Sequence, residues 1–137
     1  MRRLHANISP DGLKTKNSYR KRIEILRNRV SLLVGKDKLI MTMFLSNGNT
    51  YRQLAQLTGI NEANIARKIH KLTERLVEGE YIQCLKNRDK LTKTQMAIAR
   101  EYFLTGLSQK AIAAKRHMSA YNVRKTILKI QQIIKQQ

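Results

Sequence analysis

The chain has 137 residues, with 28 Lys plus Arg against 9 Asp plus Glu and a formal net charge of +19. That bounds it to one domain or two very small ones and calls for an acidic partner. Nine acidic residues leave little room for catalytic carboxylate pairs or carboxylate metal cages, so an enzyme is disfavoured. Hydrophobic residues, at 42%, are too many for a disordered basic tail, and with aromatics at 5% and no Trp the expected core is aliphatic. The only cysteine, Cys84, excludes an internal disulfide and fits a reducing cytoplasm. Met1-Arg2-Arg3-Leu4-His5 is followed by no apolar leader, and residues 30–34 are far too short to span a membrane.

In chain order, residues 1–17 read as a basic N-terminal arm holding Arg2, Arg3, Lys14 and Lys16, either disordered in the free protein or ordered on binding. A first helix is expected over residues 18–34. Tyr19, Ile23, Leu26, Val30 and Leu33 form its apolar stripe, with Arg20, Lys21, Arg22, Arg27 and Arg29 off it. The stripe can close a core or pair with a second copy of itself as a homodimer. A second helix over about residues 37–45 carries Leu39, Ile40, Met43 and Phe44 and stops at Ser46-Asn47-Gly48-Asn49, a turn signal. Thr50 followed by Gln53 is a capping box that opens a short third helix. Asn61 is placed to cap a fourth, to about residue 78, with Ile65, Ile69, Leu72 and Leu76 inward. Residues 80–90 read as a linker, in which Tyr81-Ile82-Gln83-Cys84-Leu85 is the one place for a strand or irregular segment.

Thr92 and Gln95 make a second capping box, opening a helix to about residue 104 with Met96, Ala99 and Phe103 inward. Ser108 caps a short helix to about residue 116. Ser119 caps a last, longer helix with Val123, Ile127, Ile130 and Ile134 on one stripe. Gly35, Gly48, Gly59, Gly79 and Gly106 each fall at the edge of an apolar run, where a helix C-cap or a turn calls for a residue free to take a positive φ. Sliding the chain by 58 residues superposes Gly48 on Gly106, Thr50 on Ser108, Leu54 on Ile112, Ala55 on Ala113, Ile60 on Met118, Asn64 on Asn122, Ile65 on Val123 and Ile69 on Ile127. The expected architecture is therefore all-α, with two consecutive units of one plan, residues 18–79 and 91–137.

Short helix, tight turn and long helix is the helix-turn-helix plan, and residues 51–70 meet its steric demands: Ala55 at the crossing, Gly59 in the turn, Ile65 and Ile69 inward. The outward face is then Glu62, Ala63, Ala66, Arg67 and His70. This segment resembles the helix-turn-helix of phage repressors of the Cro type, which implies that Glu62, Ala63, Ala66 and Arg67 face DNA bases. Residues 91–130, through Gly106-Leu107-Ser108-Gln109-Lys110-Ala111-Ile112-Ala113 and Met118-Ser119-Ala120-Tyr121-Asn122-Val123-Arg124, resemble the DNA-binding domain of LuxR-type regulators and the C-terminal domain of bacterial sigma factors. Here Arg116 stands at an expected apolar position and His117 at a turn position that usually holds Gly. By position, Ala120, Tyr121, Arg124 and Lys125 face the groove, with Leu128 beside them.

The chemistry expected of such a protein is duplex-DNA binding in transcription regulation, in the cytoplasm at the nucleoid. Arginines such as Arg67 or Arg124 can donate two hydrogen bonds to guanine, and the helix starts at Asn61 and Ser119 would enter major-groove segments about 10 base pairs apart. Lys68, Lys71, Arg75, Lys110, Lys115 and Lys129 suit phosphates, as do Arg2, Arg3, Lys14, Lys16, Arg20, Lys21, Arg22 and Arg52 and the helix starts at Thr50 and Ser108. Three rival expectations are a sigma-like promoter-recognition subunit acting with RNA polymerase, a nucleoid or transposase-type DNA-binding module, and an RNA-binding or ribosome-associated protein. The last lacks an aromatic stacking platform. No cofactor is expected, and His5, His70, His117 and Cys84 have no metal-ligand spacing.

Overall fold

The computed structural model describes residues 10–136, and side chains from residue 18 onward. Its helices are α1 (Pro10–Arg29), α2 (Gly35–Ser46), α3 (Tyr51–Thr58), α4 (Glu62–Glu78), α5 (Glu80–Lys86), α6 (Lys93–Ala99), α7 (Gln109–Arg116) and α8 (Ala120–Lys135). Short 3₁₀ turns follow α1 (Val30–Leu32) and α5 (Arg88–Lys90), and a π-helical segment (Arg100–Thr105) continues α6. The fold is all-α, with no strand among the described residues.

The helix starts follow from side-chain caps, each worth about 1 kcal/mol. Both capping boxes form: Thr50 Oγ1 accepts from the Gln53 amide at 3.1 Å while Gln53 Oε1 accepts from the Thr50 amide at 3.0 Å, and Thr92 and Gln95 do the same at 3.1 and 2.9 Å. Asn61 Oδ1 accepts from the Ala63 amide at 2.8 Å, Ser108 Oγ from Ala111 and Ser119 Oγ from Asn122, both at 3.1 Å.

Helical elements recur at an offset of 58 residues. The turn Val30–Leu32 maps onto Arg88–Lys90, Tyr51–Thr58 onto Gln109–Arg116, and the start of α4 onto that of α8. Burial recurs with them: Leu26 and Cys84, Leu33 and Leu91, Ile40 and Ile98, Leu54 and Ile112, Ile65 and Val123, and Leu72 and Ile130 are all buried. One core gathers residues of α1 to α6 with Ile130 and Ile134 of α8, while Ile98, Ile112, Ala113, Val123 and Ile127 form a smaller cluster beneath α7 and α8.

Several expectations are corrected. Residues 80–90 are no linker: α5 buries Tyr81, Ile82 and Cys84, and Tyr81 and Cys84 sit in the main core. The strand expectation mistook a short i, i+3 helical spacing for an extended run. Gly79 does not end α4 in a left-handed conformation (φ −68°). A Cβ there would fall 2.3 Å from the Arg75 carbonyl oxygen, so the glycine lets α5 start directly against the last turn of α4. Gly35, by contrast, takes the positive φ expected of it, +61°, at the turn that opens α2.

Helix α1 begins at Pro10, within the segment expected to be an arm, and proline suits a first helical turn because its missing N–H has no partner there anyway. Arg2 and Arg3 lie outside the described residues. The α1 stripe closes the chain's own core: Leu26 and Leu33 are buried, Ile23 and Val30 half-buried, and only Tyr19 is open to solvent.

In the second half, the π-helical turn rotates the inward positions by one residue. Where α2 buries Leu45, the matching segment buries Leu104 and leaves the expected Phe103 half-buried.

Candidate nucleic-acid interface

Each of α4 and α8 is entered through the same local geometry. An eight-residue helix ends on a left-handed residue, Gly59 at φ +75° or His117 at φ +55°, and an extended capping residue then starts the longer helix. His117 pays a steric penalty that Gly59 avoids.

On α4, Glu62, Ala63, Arg67 and His70 are exposed and Ala66 is half-buried. Arg67 Nη1 donates to Asn64 Oδ1 at 2.6 Å, and His70 Nε2 lies 3.1 Å from Glu74 Oε1. On α8, Ala120, Tyr121, Arg124 and Lys125 are exposed, with the Arg124 guanidinium 5.7 Å from the centre of the Tyr121 ring, within cation–π range. Leu128 shares that open face. Asn61 and Ser119 spend their side-chain oxygens on caps, so their part is to orient the helix start.

The expected phosphate-contacting residues divide into two groups. Arg20, Lys21, Arg22, Arg52, Lys71, Lys110 and Lys129 are exposed, as are the capping residues Thr50 and Ser108. Lys14 and Lys16 belong to α1, their side chains outside the described set. Three others already hold partners: Lys68 Nζ lies 2.7 Å from Asp37 Oδ1, Arg75 Nη1 donates to the Leu104 carbonyl at 3.3 Å, and Lys115 Nζ lies 2.7 Å from Glu101 Oε2.

Glu101 explains Arg116. The carboxylate is buried and takes a hydrogen bond from Arg116 Nε at 2.5 Å, so the residue that breaks the apolar pattern at the end of α7 anchors that helix to the π-helical segment. Burial alone would push the Glu101 pKa up, but the hydrogen bonds and charges of Arg116 and Lys115 outweigh it and hold the carboxyl below its usual range. No periodicity rule links positions 101, 115 and 116, and the triad is visible only in three dimensions.

Burial and the nearby Glu80 carboxylate push the Cys84 thiol up to about 11, so it stays protonated and serves as core filler. Among the described residues no group of three His, Cys, Asp or Glu could hold a metal ion, and no helix is long and apolar enough to cross a membrane. Comparison with known protein families, curated proteins and solved structures finds no match for this chain.

Proposed function

We propose that this chain is a duplex-DNA-binding transcription regulator that reads the major groove with α4 and α8. The observation that carries the reading is the recurrence, 58 residues apart, of a short helix, a left-handed turn and a capped long helix whose first turns are exposed. On this reading both pairs are helix-turn-helix units. Arg67 on α4, and Arg124 and Lys125 on α8, supply the donors that guanine O6 and N7 accept. The exposed Arg52, Lys71, Lys110 and Lys129 stand at the flanks, where duplex phosphates pass. The two outward faces differ in chemistry, so the site for one chain is non-palindromic.

The test is a selected-site binding experiment at two salt concentrations with Arg67→Ala and Lys125→Ala. Each is expected to lose about 1–3 kcal/mol on the selected site and to change nonspecific binding little. Equal loss on every sequence would reduce the interaction to backbone attraction, and preference for RNA over duplex DNA would overturn the reading.

A further inference from the structure

A cleft of about 400 Å³ opens between the first turn of α2, the middle of α4 and the end of the π-helical segment. Arg67, Lys68, Lys71 and Arg75 line it from α4, Asp37 from α2 and Thr105 from the second half of the chain. The α4 positions sit at i, i+1, i+4 and i+8, so one helix face carries all four cations. Against them stands a single carboxylate, and concave walls with a surplus of one sign concentrate the potential inside.

Three of the four cations hold partners, Arg67 through the hydrogen bond it donates to Asn64 on its own helix and two through ties to other elements. Lys68 is paired to Asp37 at 2.7 Å, and Arg75 is tied to the Leu104 carbonyl at 3.3 Å. The Arg75 guanidinium packs over Gly106, where a Cβ would lie 3.0 Å from both Nη atoms, so the glycine leaves the fork its place at the cleft wall. Lys71 is exposed and has no hydrogen bond or ion pair among the described residues.

The repeat does not produce this feature twice. At the offset of 58 stand Gln95, Lys125, Thr126, Lys129 and Ile133 in place of Asp37, Arg67, Lys68, Lys71 and Arg75. Thr105 comes from the second half, so the cleft exists only where the two halves meet.

We propose that this cleft is a phosphate site. Its chemistry suits phosphoryl oxygens: the Arg75 guanidinium fork for paired acceptors, the Lys68 and Lys71 ammonium groups as point charges and the Thr105 hydroxyl as a further donor, while Arg67 keeps the base-reading role proposed above. The phosphate comes from a nucleic-acid backbone or from a free polyphosphate. The first source rests on the DNA reading above, and the second does not.

The test is amide NMR on the full chain, following Thr105 and Gly106 while inorganic pyrophosphate and then duplex DNA are titrated in, with Lys71→Gln as the variant. The expected result is saturable shifts at both residues, weakened about threefold or more in Lys71→Gln, and a drop of about 1 in the slope of log affinity for DNA against log salt. Pyrophosphate shifts that DNA displaces assign the site to the backbone, and shifts that DNA leaves in place assign it to a free polyphosphate. Silence at Thr105 and Gly106 with both probes, or indifference to Lys71→Gln, overturns the site. DNA binding with an unchanged salt slope in the variant removes the nucleic-acid backbone as the source and leaves the DNA reading standing. Pyrophosphate binding by a chain that ignores duplex DNA keeps the cleft and removes that reading.

Discussion

Glu101 shows how one residue can set the energetics of an element junction. Its carboxylate is buried between Arg116, which is partly covered, and Lys115, which is largely in solvent. Arg116→Ala leaves a buried carboxylate short of its best donor and is expected to cost about 3 kcal/mol. Glu101→Gln frees two cations that can reach water and is expected to cost less, about 1–2 kcal/mol. Urea denaturation at neutral pH measures both, and the reverse order would show that the carboxylate is better solvated than its burial indicates. The pH dependence has a definite sign. A carboxyl held below its usual 4.5 contributes its full stability above that value and loses it as the pH falls through the folded-state pKa. The gap between the parent chain and Glu101→Gln should therefore close as the pH drops below about 4.5.

At the scale of elements, the chain turns from α4 into α5 at Gly79 with no intervening loop. Because a side chain there would strike the Arg75 carbonyl at 2.3 Å, Gly79→Ala is expected to destabilise by about 2–4 kcal/mol, well beyond the usual glycine-to-alanine effect. A thermal melt in which the variant matches the parent would mean that α5 can move off the end of α4. Local chemistry made the caps legible in the sequence: Thr50, Asn61, Thr92, Ser108 and Ser119 all cap the helices expected of them. The stripes of α4 and α8 were equally readable, since period and burial agree over four turns. Helix α5 was not, because seven residues are too few to establish a period and its helicity comes from burial of Tyr81 and Cys84. Nor was the π-helical turn, which alters which residues face inward without any marker in composition. Of the candidate site, the outward faces of α4 and α8 could be listed from spacing, whereas the partners of Lys68, Arg75 and Lys115 depend on elements distant in sequence.

The whole molecule shares one main core. Ile130 and Ile134 of the last helix lie in the same cluster as Leu26 of the first, and α5 sits between α4 and α8. Unfolding is therefore expected as a single cooperative transition, with helix loss by far-UV circular dichroism and tyrosine fluorescence coinciding across the urea range. Two resolved transitions would mean that the halves fold independently. The net charge also divides by use. Arg27 donates to the Leu45 carbonyl, Arg29 to those of Leu76 and Val77, Arg75 to that of Leu104 and Arg100 to that of Leu32, each at the end of a helical segment, where carbonyls lack intrahelical donors. With Arg116 on Glu101, five guanidinium groups act as internal fasteners. Lys71, Lys110, Lys125 and Lys129 lie instead on the open surface. Acylation of these four lysines, by a reagent or by a cell, would thus strip charge from the outside of this molecule while the five arginine fasteners stayed closed, so that surface charge could be changed without loosening the helix ends.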